Sequence, residues 1–114
     1  MLQKKLERGE LSIFNDVIII ITEIALTEID GIFISSTSIK EKLLEKVKRY
    51  NNSIQIRTNN SEIMIDIKVG IAYGKNIPII IQKLQQVIKE NVEIFTGFTV
   101  NEVNVTVNQI AYEV

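Results

Sequence analysis

The chain has no cysteine and no histidine. Without cysteine there are no disulfides, no thiolate nucleophile and none of the usual structural zinc sites. Without histidine the side chain best suited to carry protons near neutral pH is missing, so serine–histidine, cysteine–histidine and histidine-ligated metal chemistry are excluded. Carboxylate or lysine chemistry survives in principle, but no acidic pair stands out. Long apolar runs are also missing. The longest, 17–21, is far shorter than the roughly 20 residues a membrane helix needs, and Thr22 and Glu23 interrupt it. The polar first residues, with Lys4, Lys5, Glu7 and Arg8, have no apolar stretch behind them to make a signal peptide. A soluble, cytoplasmic protein is the expectation. Charge of one sign is absent as well: the net charge is −1, so no global field draws DNA or anionic lipid.

What is present is an ordinary globular balance, 46% apolar and 24% charged over 114 residues, enough for one core. About one residue in five is isoleucine, a bias common in A+T-rich genomes that points to a bacterial source. The chain divides into a polar arm at 1–8 and a single α+β domain at 9–114.

Residues 11–14 read as a short strand. Asn15 or Asp16 then offers a helix cap. The segment 17–29 starts with five β-branched residues that would also suit a buried strand; Glu23, Ala25, Leu26 and Glu28 within it and Asp30-Gly31 after it favour a helix. A strand at 32–35 precedes a capping-box pattern, Ser38 with Glu41, which opens a helix to about Tyr50 with Ile39, Leu43, Val47 and Tyr50 on one side. Ile54 and Ile56 alternate with Gln55 and Arg57, Asn59-Asn60-Ser61 turns the chain, and Ile63, Ile65, Ile67, Val69, Ile71 and Tyr73 then share one parity. This is a hairpin with one covered and one wet face. Gly74 leaves the strand, Asn76 caps a helix and Pro78 sits in its first turn. Ile77, Ile80, Ile81, Leu84, Val87, Ile88, Val92 and Phe95 form its stripe, and Gly97 stops it. Val103, Val105 and Val107 make a last strand, after which the parity flips to Ile110, Tyr112 and Val114, so a bulge is expected near Asn108-Gln109. The order is β-α-β-(α)-β-β-α-β. It implies a mostly antiparallel sheet of about four to five strands with two long helices on one face, in a ferredoxin-like or KH-like arrangement.

Between Gly9 and Ile110 this pattern resembles the alkaline-shock-protein (Gls-type) family of bacterial envelope stress response proteins. The resemblance rests first on Gly9-Glu10-Leu11-Ser12-Ile13, Asp16-Val17-Ile18 and Glu28-Ile29-Asp30-Gly31-Ile32. Its more specific half is Tyr73-Gly74, Asn76-Ile77-Pro78, Gln85 and Val87, Thr96-Gly97 and Val103-Asn104-Val105. The segment 38–50 and the absence of long hydrophilic extensions depart from the family pattern. The resemblance implies a non-enzymatic cytoplasmic scaffold or adaptor that self-associates and is tethered beneath the membrane by an integral membrane partner, with no cofactor, metal or catalytic residue carried over. Gly31, Tyr73, Gly74, Asn76, Pro78, Thr96, Gly97 and Asn104 are its structural motif residues.

Three sites merit weighing. The Gly74-Lys75-Asn76 turn at a helix N-terminus has the charge and dipole to hold an anion, but no second glycine or phosphate-loop spacing supports one, and capping with a solvated lysine is the simpler account. The basic face Lys40, Lys42, Lys46, Lys48 and Arg49, with Lys4, Lys5 and Arg8, suggests anionic lipid or RNA. Glu41 and Glu45 interrupt it and no aromatics stand ready to stack on bases, so nucleic acid is not expected. Ile19, Ile79 and Ile94 fall outside the main stripes of their helices and, with the Val-rich last strand, form a candidate surface for a homo-oligomer. A small regulatory module for RNA or for a metabolic enzyme complex is the alternative.

Overall fold

The long alternating run around Ile67 becomes the centre of the structure. The computed structural model describes residues 1–34 and 53–112. The elements are β1 (Leu2–Leu6), β2 (Gly9–Ile13), α1 (Asn15–Leu26), β3 (Ile32–Phe33), β4 (Ile54–Asn59), β5 (Glu62–Ala72), α2 (Ile77–Thr96) and β6 (Thr99–Ala111). The helix expected at 38–50 lies outside the described residues.

β5 is bonded on both edges. On one side it meets β4 over its first half and β3 at Ile71 and Gly70 near its end, both antiparallel. On the other it pairs with β6 over its whole length, in parallel. Ile63, Ile65, Ile67, Val69 and Ile71 are buried on one face, and both helices pack over that side, α1 reaching β4 and α2 reaching β6. The chain is thus α+β, and among the described residues three of the four strand pairings are antiparallel and the longest one parallel. The turn between β4 and β5 puts Asn60 at a φ of 58°, a left-handed conformation asparagine tolerates well. The bulge foreseen near Asn108 is present, because the register steps from Val69–Val107 to Gly70–Gln109.

Two local expectations change. The polar arm is not an arm: β1 pairs with β2 through a two-residue turn at Glu7-Arg8, and Leu2 is fully buried. One well-placed leucine and backbone pairing hold a segment whose composition looks solvated. Lys4 extends this anchorage, donating from Nζ to the Gly97 carbonyl at 3.2 Å, where α2 ends and a cation meets the negative pole of the helix. The N-cap of α1 also differs. Phe14 occupies it with no side-chain cap, which places Asn15 and Asp16 inside the first turn, where Asp16 faces the positive helix end.

On the face of β5 away from the helices, Gly70 lies directly under the Phe33 ring, and a Cβ there would overlap it. Gly70→Val should therefore destabilise the fold by about 1–3 kcal/mol, read as a lower midpoint in urea. Adding Phe33→Ala should recover part of the loss, whereas strictly additive losses would show that the ring and the glycine do not meet.

Candidate functional site

Among the described residues no cluster of catalytic side chains takes shape. Among the described residues no three acidic side chains cluster as a metal site, and no helix is long and apolar enough to cross a membrane. What stands out is surface.

The motif residues resolve into junction chemistry. Asn76 Oδ1 accepts from the Ile79 amide at 3.1 Å and caps α2, with Pro78 in its first turn. Gly74 turns the chain at a φ of 96°, which disfavours any side chain there. Lys75 is not free to hold an anion: its Nζ lies 3.4 Å from Asp30 Oδ2, and its stem runs against Gly31. At the other end of α2, the buried Thr96 hydroxyl donates to the Val92 carbonyl and accepts from the Phe98 amide. Gly97, at a φ of 75°, donates its amide to the Glu93 carbonyl at 2.8 Å. Tyr73 stands exposed at the end of β5 and stacks on Tyr112 with ring centroids 4.9 Å apart.

Of the proposed contact residues, Ile79 and Ile94 are 62% and 77% exposed, but Ile19 is only 8% exposed. The correction at Ile19 has a simple cause. Ile18, Ile19, Thr22, Ala25 and Leu26 are all buried, so α1 presses a broad strip against α2 and β4 and its open strip is Val17 and Ile24 instead. Lys40, Lys42, Lys46, Lys48 and Arg49 lie outside the described residues.

Sequence reasoning did not find the groove between the helices. Ile21, Ile24 and Glu28 of α1 and the loop after it face Asn91 and Phe95 of α2 around a concavity of about 410 Å³. Phe95, expected in the core stripe, is 73% exposed here. A second hollow of about 350 Å³ lies at the end of the sheet, where Tyr73, Ile77, Ile110 and Tyr112 provide most of the wall. The signal was available in part. The apolar stripe of α2 is wider than one sheet face needs, but which edge stays uncovered depends on how α1 lies against it.

The open sheet face is polar. Arg57 grips Asp66 with two bonds, at 2.8 and 3.3 Å, and Asn104 donates to Asp66 at 3.0 Å and to Glu102 at 3.2 Å. Hydrogen bonds from Arg57 and then Asn104 hold the Asp66 carboxyl below its ordinary range. A third set of bonds ties α2 to β6. Gln85 donates to the Val103 carbonyl at 2.9 Å, Lys89 to the Val100 carbonyl at 3.1 Å, and Glu93 Oε2 accepts from the Val100 amide and from Lys89, each at 2.8 Å. The Lys89 hydrogen bond, followed by the Val100 amide, lowers the Glu93 carboxyl.

Fold and surfaces together define a small α+β domain. The model of the alkaline shock protein 23 family, described as having a cell envelope-related function, matches residues 3–112, and the chain belongs to that family. It is similar to the stress response regulator gls24 homolog of Streptococcus pyogenes serotype M1, 26% identical over 107 residues covering 90% of the chain. The chain spans 59% of that protein's length. It is also similar to two Bacillus subtilis proteins described as uncharacterized, YloU (29% over 106 residues, 90% of the chain and 88% of the relative) and YqhY (23% over 107 residues, 92% and 79%). No solved structure matches. The family description and the streptococcal name are envelope-related or regulatory rather than enzymatic.

Because the folded-state pKa of Glu93 lies below its ordinary value near 4.5, its clasp contributes stability above that value and loses it as pH falls through the folded pKa. Asp66 adds a loss of the same sign. Thermal melts from pH 7 downwards should hold level to about pH 4.5 and then decline. Glu93→Gln should be less stable at pH 7 and lose less on acidification; an acid limb as steep as that of the parent would show that Glu93 carries none of it.

Proposed function

We propose that the protein is a non-enzymatic adaptor of the envelope stress response, one that self-associates and docks on a membrane-anchored protein at the inner face of the membrane. The observation that carries this reading is the concentration of large exposed apolar side chains on the helices. Val17 and Ile24 of α1 and Ile79, Ile94 and Phe95 of α2 are all exposed, and two of them line a groove. Side chains of this size scattered singly are ordinary, but Ile24 and Phe95 stand with Ile21 around one concavity, the kind of apolar hollow a partner surface uses. The family's envelope-related description points the same way. The alternative, a regulator of RNA or of an enzyme complex, rests on Lys40, Lys42, Lys46, Lys48 and Arg49, and nothing in the described residues adds to it.

Light scattering on eluting protein over a wide concentration range, paired with pull-downs from host membranes, tests the proposal. The expected result is a climb to dimers or larger species together with capture of a membrane protein, and Phe95→Glu should reduce that capture by about tenfold or more, the loss of roughly 1.4 kcal/mol or more of binding. A strict monomer at high concentration that captures no membrane protein would refute it.

A further inference from the structure

The outer edge of β6 is closed along only part of its length. In a strand, a residue's N–H and C=O point to one side, and the side alternates from residue to residue. Val100 and Val103 turn theirs away from β5, since α2 side chains bond them. By alternation Val105 and Val107 face the same way, and among the described residues nothing bonds them on that side. The closing side chains, Gln85, Lys89 and Glu93, are spaced four apart and form one stripe of α2. The same stripe continues towards the helix start as Ile81 and Pro78, which have no side-chain donor or acceptor. The clasp therefore ends where its polar residues end, and the edge beyond it lies beside the apolar hollow of Ile77, Ile110 and Tyr112.

Such an edge is ordinarily guarded by lysine, proline or inward charge. Here residues 103–112 contain no charged side chain and no proline. That neutrality bears on the occupant. Across a two-fold axis every side chain meets its own kind or a near neighbour, so a charge near the axis would face a like charge; an uncharged stretch avoids this.

Building on the self-association reading, we infer that the second half of β6 is where a second copy of this chain docks, antiparallel, with Thr106 on the two-fold axis. In that register Val105 of each copy lies opposite Val107 of the other, and each pair exchanges both backbone bonds. Val103, already held by Gln85, is not needed. Asn104 then faces Asn108, Thr106 faces Thr106 on the polar side, and the two sheets continue into one. The Ile77, Pro78 and Ile81 flanks of the two α2 helices stand alongside the junction.

The test is sedimentation equilibrium of the full chain and of Thr106→Lys, Val107→Pro and Phe95→Lys, each checked for its fold by circular dichroism. Thr106→Lys sets two ammonium groups opposite each other on an exposed face. Val107→Pro removes an outward amide without touching the ladder to β5. Both should weaken association tenfold or more, while Phe95→Lys leaves it unchanged. Since the chain has no cysteine, Thr106→Cys supplies a further readout: mild oxidation should yield a covalent dimer even if the lysine or proline variant fails to fold. Association undiminished in Thr106→Lys and Val107→Pro, or lost in Phe95→Lys alone, would overturn the edge proposal and leave self-association standing. A parent chain monomeric at every concentration would overturn both.

Discussion

The larger sheet and the two helices over it are organised around β5, a strand with a buried isoleucine face and a partner on each edge. The alternation of Ile63, Ile65, Ile67, Val69 and Ile71 demands a cover on one side, and both helices supply it. Its two edges are satisfied differently. β4 and β3 share one edge end to end, and β6 takes all of the other. A parallel partner requires a crossover, and α2 is that crossover, so the helix runs back over the strand it has just left and β6 becomes an outer strand.

An outer strand exposes a row of backbone donors and acceptors, and the structure manages this with helix side chains. Gln85, Lys89 and Glu93 reach over Val100 and Val103. The arrangement joins the motif at the end of α2 to the sheet: Thr96 and Gly97 turn the chain sharply enough for β6 to start under the last turns of the helix. The hairpin of β1 and β2 bolts the same corner from outside, through Lys4 on Gly97 and the cation's position 5.7 Å from the Phe98 ring. One end of the molecule is therefore densely bonded. The opposite end, around Tyr73, Ile110 and Tyr112, holds apolar side chains in the open, beside the half of β6 that the clasp does not reach.

How much of this was legible in the residues depended on whether the signal was local. The β4–β5 hairpin, the Asn76 cap, the Gly97 stop and the bulge at Asn108 were all readable, because each is set by a side chain acting on its own backbone. The β1–β2 hairpin was not, since its stability comes from burying Leu2 under elements far along the chain. Nor was the burial of Ile19 or the exposure of Phe95, because helical spacing marks an apolar strip but not its neighbour's position. The clasp of α2 on β6 escaped for the same reason: Gln85, Lys89 and Glu93 look like a solvated face until the strand beneath them is placed. Family resemblance was carried by the junction motifs, which are also the locally determined parts, and those residues speak to fold more than to partner.

Amide hydrogen exchange, read residue by residue on a dilute sample, tests the central claim that β5 is closed on both edges and β6 on its inner edge but only along part of its outer one. The amides of β5 and the clasped Val100 amide should be among the slowest to exchange, and those of Val105 and Val107 should exchange faster by orders of magnitude. Uniform protection along β6 in the monomer would contradict the account, because it would mean that the second half of the strand is already covered.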